Sequence, residues 1–499
     1  MKLTRRSLLK QSLTLGTMGL AAGCTTTRPT RLHAVQSENA QAGSTHWMLT
    51  HTRIDPTSRY RCPWIEGYAS HRSIRAGEKL ALFVSTRPSA PFVIDVFRLG
   101  YYNGAGGRRV MDTIGPFLGF AQDDPSADNK RLRDCQWSPC VQITIPDNWL
   151  SGVYVAKLTE LTSSLQSYII FIVRDDRPAD FIFQCSDNTW QAYNRWPNQF
   201  SLYDNGEHEW WWGGDVRVSF NRPYGKYCQI LDAPLSTGSG EWFLWEFPMA
   251  YWLESLGYDV TYISNLDTHL DPQGLLRAKG FLSVGHDEYW TIEMFRHVQS
   301  AIQHGLNVGF FSGNAVCGRI LLSPDTQGRN NRTFERIGVF GPPGSTREFV
   351  AMTTLKHDPP YANTLVGAHS TGPVTGGADW TCALPEHWIF AGTGMKKGDG
   401  IPGLVGWEWH GDPAPIPNLE IVATAPTQSA PGQLNDGQFT ATVYPGPRNN
   451  FVFNASTCWW GDGLSAPPGY VRPSVYTSPQ GPDSRVQQIT RNILNRMKA

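Results

Sequence analysis

The chain has 499 residues, and 43 Lys and Arg residues balance 43 Asp and Glu residues, so its formal net charge at pH 7 is zero. Without excess basic charge or a dense basic stripe to neutralise phosphates, the composition argues against nucleic acid as a partner. Aromatic residues make up 12% of the chain, with 19 Trp. We expect these Trp side chains mainly in the core, with sugar-binding platforms as the alternative.

The first 24 residues have the features of an export signal. A pair of arginines precedes an apolar stretch that is too short for a mature membrane helix. TRRSLLK at 4–10 resembles the bacterial twin-arginine signal, and LAAGC at 20–24 resembles a lipoprotein processing site with Cys24 as the acylated residue. An ordinary signal peptide with a chance cysteine is the alternative. We therefore expect an exported bacterial protein, periplasmic or anchored to the cell envelope membrane through lipidated Cys24, with 25–45 as a tether.

Eight further cysteines would then lie in an oxidising compartment, where disulfides are permitted. Cys135 and Cys140 are close enough along the chain to pair. Cys185, Cys228 and Cys317 have apolar neighbours and are expected as small buried side chains. Because no pair has the C-x-x-C spacing of a zinc site, a metal centre built on thiolates is disfavoured.

Residues 46–177 alternate apolar and polar side chains in short runs separated by turns. The clearest runs are 79–85, 92–98, 152–158 and 167–173. Short strands at this spacing, without long helical periodicity, predict an antiparallel β-sandwich of the immunoglobulin-like kind. The Asp-Asp-Arg-Pro sequence at 175–178 marks the expected boundary between this domain and the next.

Strands and helices alternate after Pro178, which predicts a parallel sheet in an α/β domain over 178–499. Predicted strands lie at 181–184, 259–263, 281–284, 307–311, 421–423, 439–443 and 451–454. Predicted helices lie at 242–256, 275–279, 292–302 and 483–497, with Thr291 as the N-cap of the third. A Gly- and Pro-rich stretch at about 320–400 is expected to be a loop-rich insertion.

Polar clusters follow several of these strands. They lie at 186–196, 218–224, 286–290 and 312–314, and the carboxyl ends of parallel strands share one edge of a sheet. The chain lacks the G-x-S-x-G elbow of serine hydrolases, a glycine-rich phosphate loop and an H-E-x-x-H pair. Taken alone, Glu288 could be a metal ligand, a general base or a partner of the N-terminus of the next helix, and the last is favoured. Each tyrosine, taken alone, is favoured as a core or rim aromatic.

Four motifs taken together favour functional rather than purely structural roles for Glu288 and the tyrosines. They are RLGYYNGAGG at 98–107, TWQAYNRW at 189–196, GHDEYW at 285–290 and FSGN at 311–314. In this order they resemble the large-subunit family of N,N-dimethylformamidase, over about residues 80–499. The resemblance implies a β-sandwich followed by an α/β three-layer domain similar to class I glutamine amidotransferases. It also implies hydrolysis of a carbon–nitrogen amide bond.

The resemblance further implies a single ferric ion, Fe(III), held by two tyrosines and one glutamate. Glu288 matches the glutamate and Tyr193 the first tyrosine. Tyr224 is the match for the second tyrosine, with Tyr227 as the fallback. Two phenolates and a carboxylate would neutralise a trivalent hard ion, which can act as a Lewis acid on an amide carbonyl. Oxygen ligands would suit several other hard ions as well.

Three further residues match groups that assist the chemistry in that family. His286 and Asn314 match pocket residues, and Glu408 in Gly-Trp-Glu-Trp at 406–409 matches a further carboxylate. His286 or Glu408 could take a proton from water and return it to the leaving amine, and Asn314 could hold the developing oxyanion. The side chains of Asp287 and Tyr289 alternate with these and are expected to point away from the ion.

The expected partners are a small amide substrate and either a small companion subunit, which the family's amidase has and this chain lacks, or further copies of the chain. Fold does not fix function. The alternative interpretation is therefore a cell-envelope protein without catalytic activity that binds carbohydrate through its Trp residues.

Overall fold

A computed structural model describes residues 33–226, 237–341, 355–371, 376–430, 433–472 and 481–499. The predicted signal, Cys24 and the first part of the tether lie outside the described residues, as do Tyr227 and Cys228. Within the described ranges, every helix is too short or too polar to cross a lipid bilayer.

Residues 33–177 form one short helix and nine strands. These are α1 (Ala34–Asn39), β1 (Glu66–Ala69), β2 (Ser73–Arg75), β3 (Lys79–Ser85), β4 (Pro91–Leu99), β5 (Gly107–Arg109), β6 (Ile114–Leu118), β7 (Pro139–Thr144), β8 (Gly152–Glu160) and β9 (Gln166–Arg174). Strands β1, β3 and β7 form a three-stranded antiparallel sheet, and β2, β9, β8, β4 and β5 form a second sheet in that order, with β6 paired to β4.

Apolar side chains of these two sheets share one buried cluster, which includes Leu82, Ile94 and Phe171. The alternation in the sequence thus places every second side chain in a common core. The predicted antiparallel arrangement of this segment is confirmed for every pair except β2 with β9, which is parallel. The immunoglobulin-like topology and the domain boundary stay predictions.

The remaining described residues contain fifteen strands and seven helices. In chain order these are β10 (Ala179–Cys185), α2 (Asp187–Tyr193), β11 (Arg217–Ser219), α3 (Trp242–Trp245), α4 (Phe247–Ser255), β12 (Val260–Ser264), α5 (Asn265–Leu270), β13 (Ala278–Gly285), β14 (Tyr289–Trp290), α6 (Ile292–Gln303), β15 (Asn307–Ser312), β16 (Gly318–Ser323), β17 (Thr333–Val339), α7 (Asn363–Val366), β18 (Ala368–Thr371), β19 (Gly377–Thr381), β20 (Gly400–Gly406), β21 (Trp409–Pro413), β22 (Glu420–Ala430), β23 (Gln433–Pro445), β24 (Phe451–Asn454) and α8 (Ser484–Lys498).

A nine-stranded mixed sheet organises this segment, in the order β12-β10-β13-β15-β24-β23-β22-β19-β20. The first five strands are parallel, as the alternation of strands and helices predicts, and the rest are antiparallel. Strands β10, β13 and β15 are buried along almost their whole length, which explains their continuous apolar runs. The molecule is therefore a mixed α/β protein with several sheets.

The helix ends follow local capping rules. The Thr291 hydroxyl accepts a hydrogen bond from the backbone N–H of Met294, which begins α6, and the Asp483 carboxylate does the same for Arg485 at α8. The predicted helix at 242–256 is two helices with a break at Glu246. The expected helix at 275–279 is a single 3-10 turn at Gly274–Arg277.

The stretch at about 320–400, expected to be loop-rich, contains strands β16 to β19 and helix α7 in its described part. Strands β16 and β17 pair with each other and with β14 and β11 in a separate four-stranded sheet. Sequence alternation missed these strands because apolar Leu321 and Ile337 are exposed whereas charged Arg336 is buried. Strand β17 of this sheet carries Arg336.

Most tryptophans lie in the core. Trp459 and Trp460 are buried, whereas Trp210 is 46% exposed. Cys135 and Cys140 are both free thiols, so they are not bridged to each other. The Cys140 thiol instead faces the carbonyl oxygen of Leu82 at 3.3 Å.

Candidate metal centre

Three neighbouring parallel strands deliver side chains to one edge of the large sheet. Tyr193 ends α2, which follows β10; Glu288 follows β13; and Asn314 follows β15. Because β13 pairs in parallel with both β10 and β15, the carboxyl ends of all three strands meet. Polar side chains therefore lie together at this edge of the sheet, as the sequence predicts.

The backbone in this region is unusually close-packed. Gly285 has a φ of 71°, and a Cβ at this position would lie 2.4 Å from Cβ of Trp245. A Cβ on Gly313 would lie 2.1 Å from the carbonyl oxygen of Glu408. Asn314 itself has a φ of 49°. Only glycine tolerates such approaches, so Gly285 lets Trp245 press against the end of β13, and Gly313 lets the loop that carries Glu408 press against the end of β15.

The Glu288 carboxylate accepts hydrogen bonds from two tyrosines. The Tyr193 hydroxyl donates to Oε2 over 2.7 Å, and the Tyr203 hydroxyl lies 3.1 Å from the same oxygen. The two phenol rings stack with their centroids 4.4 Å apart. Tyr203 lies in the loop after α2, where the backbone N–H of Leu202 donates to the carbonyl of Ala192. Three oxygen groups thus converge on one point.

Tyr289 also belongs to this cluster, contrary to the expectation that it points away. Its hydroxyl lies 2.6 Å from the Tyr203 hydroxyl and accepts a hydrogen bond from Nη2 of Arg336. The alternation of β13 does not continue past Gly285, because Tyr289 starts the separate strand β14 in the four-stranded sheet.

Asp287 does point away from Glu288, as expected. Its carboxylate accepts hydrogen bonds from Gln184, Asn265 and Ser283 at 2.6–3.1 Å. These donors belong to the parallel strands and to α5, so Asp287 ties the sheet edge together. Burial nevertheless raises its pKa to about 6.

His286 lies between carboxylates. Its Nε2 is 2.6 Å from Oε2 of Glu408 and 3.4 Å from Oε2 of Glu288, and its Nδ1 is 3.8 Å from Oε2 of Glu241. Asn314 donates from Nδ2 to Oε2 of Glu408 over 3.0 Å. The predicted residues Tyr193, His286, Glu288, Asn314 and Glu408 are therefore together in one cluster.

This cluster is fully buried, and burial dominates its acid–base properties. Burial raises the pKa of Glu288 to about 7, and the charge of Glu408 acts in the same direction. The pKa of Glu408 is likewise raised to about 7, while burial lowers that of His286 to about 4. Burial also raises the pKa values of Tyr193 and Tyr203 well above the ordinary phenol value. Without a cation, the tyrosines and His286 are therefore neutral at pH 7, and the two carboxyls titrate near that pH.

Glu241 and Cys458 are two further members that the sequence analysis did not single out. The Glu241 carboxylate is buried and its pKa is raised by burial and by Glu246. One ligand atom each of His286, Glu408 and Cys458 lie within 4.8 Å of one another, so this buried group could hold a metal ion. The thiol of Cys458 faces the carbonyl of Gly313 at 3.6 Å.

Tyr224 lies elsewhere. Its ring packs edge-on against Trp190, 6.4 Å between centroids, and it lines a small separate cavity with Arg72 and Arg332. The physical reason is the neighbouring Arg222, whose guanidinium donates to carbonyls around the end of α2 and so fixes the direction of the chain. The structure therefore does not bring Tyr224 to Glu288.

The tyrosine that contacts Glu288 together with Tyr193 is Tyr203. It follows no recognisable motif, and the loop from 194 to 216 that carries it contains only turns and an isolated bridge. Tyr289 lies inside the GHDEYW motif, but its orientation depends on which sheet pairs with it. No local sequence pattern predicts that Tyr203 contacts Glu288 or that Tyr289 contacts Tyr203.

The fold and this cluster define a mixed α/β protein with a buried group able to hold a metal ion. The chain belongs to the N,N-dimethylformamidase beta subunit-like family, since the profile of the C-terminal region of that family matches residues 93–473. The resemblance carried by the four motifs is thus confirmed. No curated protein matches the chain.

Proposed function

We propose that the protein is a metal-dependent hydrolase of a carbon–nitrogen amide bond, with one iron(III) ion held by Tyr193, Tyr203 and Glu288. The observation that carries this proposal is the convergence of two tyrosine hydroxyls on one buried carboxylate oxygen. Membership in a family related to an amidase subunit supports it.

The donor set suits a small hard cation. Two oxygens bound at right angles to one ion, each about 2.0–2.1 Å from it, lie roughly 2.9 Å apart. The Tyr193 and Tyr203 oxygens lie 2.7 and 3.1 Å from Oε2 of Glu288. An ion would take the place of the two hydroxyl hydrogens, and two phenolates with one carboxylate would neutralise three positive charges.

The second set able to hold a metal, His286 with Glu408 and Cys458, fits this chemistry less well. Burial raises the pKa of the Cys458 thiol well above its ordinary value, which disfavours the thiolate that a metal needs. His286 and Glu408 already share a contact of 2.6 Å. We therefore assign this pair to proton transfer rather than to the ion.

When bound, the ion would polarise the amide carbonyl and lower the pKa of water. The chain's own residues supply the remaining steps. His286 Nε2 and Glu408 Oε2 together hold a proton that can pass to the leaving nitrogen, and either group can accept the proton of the attacking water. Asn314, whose amide is oriented by Glu408, offers an N–H to the substrate oxygen as negative charge develops there.

Elemental analysis of purified variants tests the ion and its ligands. Wild type should contain about one iron per chain, and Tyr203→Phe and Glu288→Gln should lose most of it. Tyr224→Phe is the matched control, because it removes the hydroxyl of a half-buried tyrosine away from Glu288, and it should keep the iron. Cys458→Ser should keep it too. Iron retained by Glu288→Gln but lost from Cys458→Ser would overturn the ligand assignment.

Activity is tested separately, by following amine release from a panel of small linear amides. The expected result is turnover by wild type and none by the iron-free Glu288→Gln variant. Turnover that is unchanged after complete removal of metal would overturn the proposed mechanism.

Location and assembly are proposals from the sequence. We propose export through the twin-arginine route and acylation of Cys24, which predicts that Cys24→Ser abolishes incorporation of labelled fatty acid. A companion subunit or homo-oligomer is proposed by family resemblance, and light scattering on the natively purified protein measures it. A monomeric protein with full activity would contradict both assemblies.

A further inference from the structure

Arg336 is a buried cation beside the tyrosine cluster. It lies on β17, is 2% exposed, and its Nη2 donates to the Tyr289 hydroxyl over 2.9 Å. Its guanidinium carbon also lies 4.9 Å from the ring centroid of Tyr203 and 4.7 Å from that of Trp212. Arginine is thus held on three aromatic side chains rather than on a carboxylate.

The first hydrogen bond of this chain, from Arg336 to Tyr289, can run in only one direction. A guanidinium has donors and no acceptor, so the Tyr289 oxygen must accept from it. Either hydroxyl could donate in the Tyr289–Tyr203 contact of 2.6 Å, and the hydrogen of Tyr289 is available to the Tyr203 oxygen when that of Tyr203 goes to Glu288. The Tyr203 hydrogen in turn faces Glu288. The chain of donors therefore runs from Arg336 through Tyr289 and Tyr203 to Glu288.

The charge of Arg336 has no carboxylate counter-ion among the described residues within ion-pair distance. The acidic side chains that it faces are Tyr289, whose hydroxyl lies 2.9 Å from its Nη2, and Tyr203, whose ring centroid lies 4.9 Å from its guanidinium carbon. A buried cation is costly unless a negative charge compensates it. An ionised Tyr203 oxygen would be that charge, and the proposed function supplies it, because a metal ligand loses its hydroxyl hydrogen.

We propose that Arg336 and Tyr289 are positioning residues for the metal ligand Tyr203. Tyr289 gives its hydrogen to the Tyr203 oxygen, and Arg336 fixes that direction. The inference rests on the proposed function, since it assigns Tyr203 to the ion. Partners of metal ligands orient them and tune the electron density that they offer to the metal.

Iron bound by phenolates absorbs visible light through charge transfer from the phenolate oxygen to iron, which gives a readout besides activity. A hydrogen bond to that oxygen withdraws electron density and raises the transition energy. Tyr289→Phe removes only the hydroxyl, so the absorption band of the iron-loaded protein should move to longer wavelength. The iron dissociation constant should rise about 10–100-fold.

Arg336→Lys is the second variant, and it should move the band in the same direction by a smaller amount. Tyr224→Phe is the control and should leave the band in place. Circular dichroism and melting curves establish that each variant is folded. If Tyr289→Phe does not fold, the shift of the absorption band in Arg336→Lys alone tests the inference.

The outcomes separate the two levels of the proposal. A wild-type protein that binds no iron, or binds it without a visible band, overturns the proposed function. A wild-type band that Tyr289→Phe and Arg336→Lys leave unchanged overturns the inference about these two residues and leaves the ligand assignment standing. A shift with Tyr289→Phe and none with Tyr224→Phe supports the inference.

Discussion

The carboxylate of Glu254 in α4 accepts hydrogen bonds from both terminal nitrogens of Arg98 in β4. Nη2 lies 2.8 Å from Oε1, and Nη1 lies 2.9 Å from Oε2. Both side chains are completely buried. Asn39 and Tyr262 donate to the same carboxylate. The pair joins the N-terminal strands to the α/β part of the chain, and it explains the arginine at the start of the RLGYYNGAGG motif in structural rather than catalytic terms.

Glu254→Gln should therefore lower the free energy of unfolding by about 3–5 kcal/mol, because it leaves a buried guanidinium uncompensated. Urea unfolding followed by circular dichroism measures this. The control is Asp176→Asn, which breaks the exposed pair with Arg75 and should cost less than about 1 kcal/mol. Equal losses in the two variants would show that burial does not set the strength of the Arg98 pair.

Metal removal should destabilise the wild-type protein. A ligand that binds only the folded state stabilises it by about 2.7 kcal/mol when its free concentration is 100 times its dissociation constant. Melting temperatures with and without iron should therefore differ for wild type and coincide for Glu288→Gln. A Glu288→Gln protein that iron still stabilises would place the ion elsewhere.

The stability of the metal-free protein should fall as pH rises above 6.5. Burial raises the folded-state pKa of Glu408 and of Glu288 to about 7, above the ordinary value of 4.5. A carboxyl with a raised pKa stabilises the fold while it is protonated, and this contribution is lost as pH rises through the folded pKa.

His286, with its pKa lowered to about 4, acts in the opposite sense only between about pH 4 and 6.5. Urea unfolding of the metal-free protein at pH 6.5 and 8 avoids the contribution of His286, and Glu241 and Glu246, whose pKa values are also raised by burial, should add to the loss. Glu408→Gln should show a smaller loss than wild type. A wild-type stability that increases over this interval would contradict the raised pKa values.

Asn314→Ala should lower kcat about 10²–10³-fold, because it removes a donor aimed at the developing oxyanion. Iron content should be unchanged, since the amide contacts Glu408 rather than the proposed ligands. Steady-state kinetics and elemental analysis on the same preparation test both statements. A variant that loses its iron would instead make Asn314 a structural support of the ion.

Asp483→Ala should lower the free energy of unfolding by about 1 kcal/mol, because the carboxylate accepts a hydrogen bond from the first turn of α8. Asp483→Asn keeps an acceptor at the same position and should cost much less. Both values come from urea unfolding at neutral pH. An asparagine variant that loses as much stability as the alanine variant would mean that the ion pair with Arg485 outweighs the cap.

The sequence by itself determined the elements whose signals are local. Continuous apolar runs identified β10, β13 and β15, and a threonine followed by a 3.6-residue apolar pattern identified α6. Family resemblance selected Tyr193, His286, Glu288, Asn314 and Glu408 as candidate site residues. Parallel strands end at a common edge, so order along the chain was enough to expect the first four together, whereas Glu408 lies in the loop between β20 and β21.

The tertiary structure decided what depends on long loops and on pairing between sheets. Tyr203 rather than Tyr224 faces Glu288 because Arg222 fixes the chain around the end of α2. Tyr289 turns toward Tyr203 because it pairs with β16 and not with β13. Arg336 reaches both tyrosines from β17, across a separation in sequence that no local pattern encodes. Such contacts are set by packing between distant segments, and side-chain periodicity carries no record of which segments will meet.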